Sequence, residues 1–482
     1  MSRPTPEQIY KDIKPPKADE LKQAQDKNTI KQVRRYKLIT PLFGGGVEAG
    51  ITDDVTPISG KAIRGHLRFW WRATRGGQFG GGEEGLQKMK EAEETVWGGA
   101  SGTGKGQPSS VKVEVKATNL GQPKNPFVVE SKLDENRQPI IRNGVPLPRV
   151  KPEEGIAPSY AAFPLQPKEE DGNPLRVGQP TKSLRENIEF TLTMSFPKNH
   201  KIDVEAALWS WETFGGIGAR TRRGFGALFL NGYTENGVEQ DVNIDFANNG
   251  EVHKYILTGL DKHVSDGDCP QYVPRLQKKM SFRLVGLPPA NFFDSSPAAW
   301  KHIIQKLKDF RQMRHNRGRG RSYWTEPDQI RYLTDQTYPN HKPPLSDIEK
   351  FPRGSFGLPI IFHFKDWDER NPYSNNVDPI DSTLKPAPIN GKNLDRRASP
   401  LILRPLRCSS HRNTSVGLAA MLVSQPPPNG YVLEFENAKG KQTPKVIVGL
   451  EQDEANEIEP LKMRDGTHQK NVLLAFLDYV TR

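Results

Sequence analysis

The chain has 482 residues, with 69 Lys and Arg against 57 Asp and Glu, a formal net charge of +12 and a pI near 9.4. This length is enough for two or three domains, and the basic balance favours a polyanionic partner. No apolar run reaches membrane length, so nucleic acid is a better partner than a membrane. The two cysteines form neither a disulfide framework nor a metal-ligand spacing, which predicts a cytoplasmic, reduced chain with no metal and no other cofactor.

The first half of the chain alternates between strand-like and helix-like patterns. Residues 1–31 are polar, rich in lysine and interrupted by prolines, and we expect a mobile N-terminal arm. The predicted elements are a strand over 33–43, a helix capped by Ser59 that continues to about Arg75, a helix over 86–97, a strand over 110–116, long loops over 118–186, a strand over 187–196, a helix capped by Asp203 and a strand over 225–230. This order predicts a ferredoxin-like (RRM-like, split βαβ) domain over 32–268, with an insertion at about 118–186.

The second half is predicted to form a similar unit. Residues 231–268 are acidic and loop-like, and we place the domain junction there. The predicted elements are a strand over 279–287, a helix from Ser296, strands over 357–365, 401–406, 416–423 and 431–436 that form a second sheet, and a helix over 471–480. The acidic, proline-rich residues 366–395 are predicted to be an insertion. The fold class is therefore α+β, with two ferredoxin-like domains and long loop insertions, the second domain covering 269–482.

A basic stripe lies along the predicted helix over 59–75. At about 100° per residue its apolar residues share one side, and its positive residues cluster on the other. The helix contains no acidic residue that would neutralise them, so the stripe is predicted to contact phosphate; a solvated basic face is the alternative. Its members are Lys61, Arg64, Arg68, Arg72 and Arg75.

The stretch from Gly215 to Gly226 packs five glycines and three arginines into twelve residues. Glycines let a phosphodiester approach the main chain, and arginines add charge and forked hydrogen bonds. This composition predicts a phosphate cradle, and a flexible connector is the alternative. The predicted phosphate ligands here are Gly216, Gly218, Arg220, Arg222 and Arg223, together with Thr40.

Two further segments combine aromatic residues with features of RNA-binding loops. The run from Arg311 to Trp324 is densely basic, and in it Arg317, Arg319 and Arg321 are predicted to bind the RNA backbone, with Trp324 as a stacking platform. A disordered basic segment is the alternative. Residues 158–164 form either a packed loop or a base-stacking loop, with Tyr160 as the stacking candidate.

Five segments resemble the RAMP superfamily of CRISPR-associated proteins, and more narrowly the first subunits of Cmr (type III-B) RNA-guided effector complexes. They are TPLFGGG from Thr40, ISGKAIRGHLRFWWRA from Ile58, FGGIGARTRRGFG from Phe214, GRSYWTEPDQIR from Gly320 and FGLPIIFHF from Phe356. The resemblance implies two ferredoxin-like domains, no cofactor, and a place near the 3′ end of the CRISPR RNA among the other Cmr subunits. It also implies that other subunits cleave the target.

These observations predict a non-catalytic subunit that binds CRISPR RNA and its paired target RNA, and that contacts no membrane. A metal-independent endoribonuclease is the alternative, since some RAMP proteins cleave CRISPR precursor RNA. It would need a general acid or base such as His66 or His315 near a 2′-hydroxyl. A structural cap held only by protein contacts is the third possibility.

Overall fold

The computed structural model describes residues 28–48, 50–99, 106–169, 173–242, 244–315, 320–339, 341, 348–366, 368, 370–389, 391–423, 430–436, 442–447 and 449–482. The helices are α1 (Gly60–Arg75), α2 (Gly82–Trp97), α3 (Ser159–Ala162), α4 (Lys201–Phe214), α5 (Asn249–His263), α6 (Ser296–Arg311), α7 (Glu326–Thr334), α8 (Gln452–Asn456) and α9 (Val472–Tyr479). The strands are β1 (Thr29–Leu38), β2 (Lys112–Lys124), β3 (Phe127–Ser131), β4 (Ile141–Arg142), β5 (Val145–Pro146), β6 (Pro148–Pro152), β7 (Leu184–Pro197), β8 (Leu228–Glu235), β9 (Val238–Gln240), β10 (Phe282–Val285), β11 (Ile360–Phe362), β12 (Ser382–Pro386), β13 (Leu401–Arg407), β14 (Ser415–Met421), β15 (Tyr431–Glu436) and β16 (Gln442–Ile447).

The first half forms an antiparallel five-stranded sheet in the order β2-β7-β1-β8-β9. Helix α1 follows β1, helix α4 follows β7, and the two helices pack against each other. Side chains alternate along β1, so that Ile30, Tyr36 and Leu38 are buried while Lys31 and Arg35 on the other face are exposed. The predicted mixed α+β class with antiparallel sheets is confirmed.

Helix α1 is the element that the sequence predicts best. The Ser59 hydroxyl accepts a hydrogen bond from the Ala62 N–H at 3.2 Å, which caps the helix as expected. Its apolar face, including Leu67, Trp70 and Trp71, is buried in the core of the first half. Helix α4 differs from its prediction, since it begins at Lys201 and Asp203 lies inside its first turn.

Several parts of the first half depart from the predicted loops and boundaries. Residues 29–31 belong to β1 and not to an N-terminal arm, while residues 1–27 lie outside the described residues. The predicted long loops over 118–186 contain a β-ribbon, because β3 pairs with β6 and β4 pairs with β5. The junction predicted over 231–268 contains helix α5, which Asn248 caps and which buries Val252 and Ile256. The apolar residues of α5 recur at helical spacing in the sequence, but the many polar residues between them make the segment resemble a loop.

The second half contains two sheets and not one. Strands β10, β14 and β13 form a three-stranded sheet in that order, against which α6 packs. Strands β11, β12, β15 and β16 form a separate four-stranded sheet. The prediction of a single second sheet was therefore wrong. Strands β11 and β15, which correspond to the strands predicted over 357–365 and 431–436, both pair with β12. Strand β12 lies inside the predicted insertion over 366–395. No helix in the described part of the chain is long and apolar enough to cross a membrane.

Candidate nucleic-acid interface

The glycine-arginine loop (Gly215–Gly226) begins where α4 ends and folds back on itself. The Ile217 N–H donates to the Gly226 carbonyl at 3.0 Å, and the Ala219 N–H donates to the Phe43 carbonyl at 2.8 Å. Gly218 has a φ of +81°, and a side chain there would lie 2.6 Å from a methyl of Leu42. Gly218 is therefore needed for close packing against Leu42 and Phe43, as well as for a left-handed backbone.

Two predicted phosphate ligands have structural partners instead. Thr40 is 3% exposed, and its hydroxyl donates to the Gly224 carbonyl at 2.6 Å and accepts from the Ala227 N–H at 2.8 Å. Gly216 is buried, and its carbonyl accepts a hydrogen bond from the Trp211 indole at 2.8 Å. The Thr40 hydroxyl is therefore buried and occupied within the loop and is not available to a phosphate. Phosphate binding by the Gly216 N–H stays a prediction.

Two loop arginines reach into the second half of the chain. Arg222 donates to the Ser399 carbonyl, and Arg223 donates to the carbonyls of Leu401 at 3.1 Å and Phe356 at 3.3 Å. The Trp300 indole of α6 donates back to the Arg223 carbonyl at 2.7 Å. The loop is thus the junction between the two halves of the molecule.

Arg404 on β13 fastens the same junction from the opposite side. It is fully buried and donates to the carbonyls of Glu212 at 2.8 Å, Gly215 at 2.6 Å and Leu228 at 2.9 Å. Two of these carbonyls belong to the C-terminal end of α4, where the last carbonyls have no partner within the helix. A cation is also favourable at this end of the helix dipole. Arg404 therefore holds the start of the glycine-arginine loop in place.

Five guanidinium groups gather around the loop, and we call them the arginine cluster. Burial, together with the charges of Arg311, Arg220 and Arg222, lowers the pKa of Arg223 to about 9. Burial also lowers the pKa of Arg311, to which the charge of Arg353 adds. The members of the cluster are Arg220, Arg222, Arg223, Arg311 and Arg353.

The arginine cluster has little negative charge beside it. In the described part of the chain, the one carboxylate in an ion pair with a member is Glu326, whose Oε2 lies 3.2 Å from the Arg353 Nε. The buried Nε atoms of Arg220 and Arg311 have no hydrogen-bond partner among the described residues. Holding cations together in a partly buried site is costly unless an anion compensates them. The cluster therefore suits a phosphate, which accepts forked hydrogen bonds from arginine.

The basic stripe of α1 is partly paired with acids on neighbouring elements. The Glu93 carboxylate of α2 lies 2.5 Å from Arg68 and 2.6 Å from Arg72, and Asp203 of α4 lies 3.2 Å from Arg75. Arg64 donates to the Val111 carbonyl at 3.4 Å. Helix α1 contains no acidic residue, but the fold brings two acidic residues of other helices, Glu93 and Asp203, next to its arginines. Arg68, Arg72 and Arg75 are therefore ion-paired within the fold, whereas Lys61 is exposed. Phosphate contact by the stripe stays a prediction.

The basic run after α6 is also arranged differently from its prediction. Arg317 and Arg319 lie outside the described residues, and Arg321 pairs with Asp328. Trp324 is 1% exposed and donates its indole N–H to the Phe310 carbonyl at 2.9 Å. The prediction of Trp324 as a stacking platform was wrong, because its ring lies in the core.

Two cluster members were missed by sequence reasoning. Arg311 was noted only as the start of a basic run, and Arg353 was not singled out. Arg311 ends α6, and Arg353 lies in a short 3₁₀ turn over Pro352–Phe356. The glycine beside Arg353 was the available signal, since FPRGSFG repeats the pairing of arginine and glycine found in the main loop.

The two histidines considered for catalysis have different surroundings. Burial lowers the pKa of His66 to about 4, and its ring stacks on Trp211 with centroids 6.4 Å apart. It is therefore neutral at physiological pH and half-buried. The His315 ring lies against Tyr323, with centroids 3.7 Å apart.

One group of residues has the ligand types of a metal site. His341, Asp366 and Asp378 place one ligand atom each within 4.8 Å of one another. However, Arg331 donates to both oxygens of Asp378, at 2.9 and 3.0 Å. Although burial raises the pKa of Asp378, the hydrogen bonds and charge of Arg331 outweigh it and the pKa is lowered. A guanidinium already neutralises this carboxylate, so we assign the group no metal.

Comparisons with known proteins show which protein family the chain is similar to. Residues 35–228, which include α1, α4 and the glycine-arginine loop, match the model of the RAMP superfamily. This part of the chain is therefore similar to the RAMP superfamily. The particular protein that it resembles is Cmr1 of the type III-B CRISPR complex. The Cmr subunit Cmr1-2 of Pyrococcus furiosus is 25% identical over 193 residues, which are 39% of this chain and 89% of the relative.

Two solved structures are also similar. The crystal structure of apo Cmr1 from Pyrococcus furiosus has 16% identity and a TM-score of 0.42, with 83% of this chain and 90% of the other covered. A cryo-EM structure of type III-B Cmr-β bound to cognate target RNA contains a chain with 14% identity and a TM-score of 0.44, with coverages of 82% and 94%.

Proposed function

We propose that this protein is a non-catalytic RNA-binding subunit of a type III-B Cmr effector complex in antiviral defence. It binds CRISPR RNA near the 3′ end, together with the paired target RNA, and it contacts other Cmr subunits. The observation that carries this proposal is the arginine cluster, in which five guanidinium groups meet one paired carboxylate. Its relatives support the setting, since one structure of similar chains is a Cmr complex bound to target RNA.

The phosphate site draws on both halves of the chain. Arg220, Arg222 and Arg223 come from the glycine-arginine loop, whereas Arg311 comes from the end of α6 and Arg353 from the 3₁₀ turn before β11. Arg222 and Arg223 already donate to backbone carbonyls, so their main role is to hold the junction and supply charge. Arg220 and Arg311, each with a buried unpartnered Nε, are the members we assign to direct phosphate contact.

The finer fold assignment belongs with this proposal. In the first half the strand order β2-β7-β1-β8, with helices after β1 and β7, matches the connections of a ferredoxin-like unit. In the second half, β10, α6, β13 and β14 follow the same pattern for three strands. We infer that the two halves are ferredoxin-like domains, the second lacking a fourth strand among its described residues and carrying an additional sheet.

Catalysis is not part of the proposed role. A general base works best with a pKa near the operating pH, and it must reach its substrate. His66 meets neither condition, because burial lowers its pKa to about 4 and its ring is stacked on Trp211. An endoribonuclease would have to use another residue, and shortened RNA after incubation would favour that alternative.

The proposal is tested by fluorescence anisotropy of a labelled single-stranded RNA with the full chain. The variant is Arg220→Gln with Arg311→Gln, and the matched control is Arg412→Gln, an exposed arginine between β13 and β14. We expect the double variant to lose at least about tenfold in affinity, since charge-assisted hydrogen bonds contribute about 1.5–3 kcal/mol each, while the control stays near wild type. Equal affinities with unchanged melting temperatures would contradict the proposal. The RNA is run on a gel afterwards to detect cleavage.

A further inference from the structure

Phe163 is an exposed aromatic residue on a firmly anchored turn. It follows α3 and begins a 3₁₀ turn, Phe163–Leu165, whose neighbours Ala161, Ala162 and Leu165 are all buried in the core. The Phe163 side chain nevertheless remains 52% exposed. The backbone is therefore fixed while the ring faces solvent, which is the reverse of what an ordinary core phenylalanine does.

The ring lies beside the arginine cluster. The Arg220 guanidinium sits over it, 5.0 Å from the ring centroid. Arg220 itself has a φ of +57°, a left-handed conformation that costs an arginine free energy and that the packed loop imposes. Its side chain thus stacks on the aromatic ring with the buried Nε unpartnered.

The neighbouring tyrosine is not equivalent. Tyr160 is partly buried, packs against the core of the second half and interacts with Arg311. The tyrosines that are similarly exposed in the described ranges, such as Tyr332 at 66%, carry a hydroxyl that can be solvated. Phe163 has no polar atom that would explain its exposure.

We propose that the exposed ring of Phe163 is a stacking platform for one RNA base, with the adjoining phosphate held by Arg220 and Arg311. This inference rests on the proposed function and adds a base contact to it. An aromatic ring stacks on any base, so the platform orders the strand without reading its sequence. Arg220 adds a cation to the same stack, which strengthens it.

The two kinds of contact have different salt dependence. Phosphate contacts release counterions, so their loss reduces the slope of log affinity against log salt. Stacking on Phe163 involves no counterion. Loss of the ring should therefore lower affinity by about 5- to 160-fold at every salt concentration and leave the slope unchanged, since stacking is worth about 1–3 kcal/mol per base.

The experiment uses single-stranded RNAs that carry one 2-aminopurine, moved position by position, with the full-length chain. We expect wild type to quench one position strongly. Phe163→Ala should lose this quench and at least about fivefold in affinity at an unchanged salt slope, and Phe163→Trp should restore both. Tyr332→Ala, which removes another exposed ring, is the matched control and should behave as wild type.

Two results would overturn the inference in distinguishable ways. If wild type binds RNA with a steep salt slope and Phe163→Ala binds equally well with the same quench, the platform is wrong and the phosphate site stands. If wild type shows no salt-dependent binding, the proposed function fails and the platform with it.

Discussion

Replacing Arg404 by methionine tests whether the second half of the chain holds the glycine-arginine loop. The substitution keeps an apolar stem of similar length but leaves the carbonyls of Glu212, Gly215 and Leu228 without their donors. A buried acceptor that loses its partner costs about 1–3 kcal/mol. With three such carbonyls and partial relaxation of the structure around them, we expect the free energy of unfolding to fall by about 3–5 kcal/mol. This corresponds to a fall in melting temperature of about 10 °C for domains of this size.

The assay is thermal unfolding followed by circular dichroism, with Arg407→Met as the matched control. Arg407 lies on the same strand but is only half-buried, and its Nε donates to the Ser409 carbonyl at 2.8 Å near the surface. We expect the control to lose less than about 1 kcal/mol. If Arg404→Met melted within about 2 °C of wild type, the three hydrogen bonds would contribute little and the account of the junction would be wrong.

Two further predictions concern residues singled out from the sequence. Because burial lowers the pKa of His66 to about 4, its neutral form is favoured in the folded state; stability is complete above the unfolded pKa of about 6.5 and is lost as the pH falls toward 4. Across that window the free energy of unfolding of wild type, measured by urea titration, should fall by up to about 3 kcal/mol relative to that of His66→Phe. A difference between the two proteins that did not change with pH would contradict the burial of this ring. Changing Arg68 and Arg72 together to Ala leaves the buried Glu93 carboxylate unpaired, which should cost about 3–5 kcal/mol but change RNA affinity by less than about twofold. A large loss of affinity at unchanged melting temperature would show that the stripe binds RNA after all.

The sequence predicts local structure well where the signal is short-range. The Ser59 cap and the apolar face of α1 are both determined by neighbours within a few residues, and the structure confirms them. Helix α5 was equally predictable, since Asn248 caps it and Val252 and Ile256 fall on one face, but its polar composition was interpreted as loop.

The candidate site was predictable in composition but not in geometry. The concentration of arginine and glycine correctly marked the loop as unusual. Which arginines are available depends on residues far away in the chain: Glu93 is 21 residues from Arg72, and Ser399 is 177 residues from Arg222. Sequence alone does not show these partners. Trp324 illustrates the same limit, because an aromatic residue beside a basic run can lie in the core or on the surface.

The most direct test of the central claim is the salt dependence of RNA binding by wild type and by Arg220→Gln with Arg311→Gln. Each phosphate contact contributes about 0.7 to the slope of log affinity against log salt for single strands. If Arg220 and Arg311 hold one phosphate of the RNA backbone, the double variant should show a slope smaller by about 0.7 than that of wild type or of Arg412→Gln. Parallel lines for all three proteins would contradict the claim that this cluster binds phosphate.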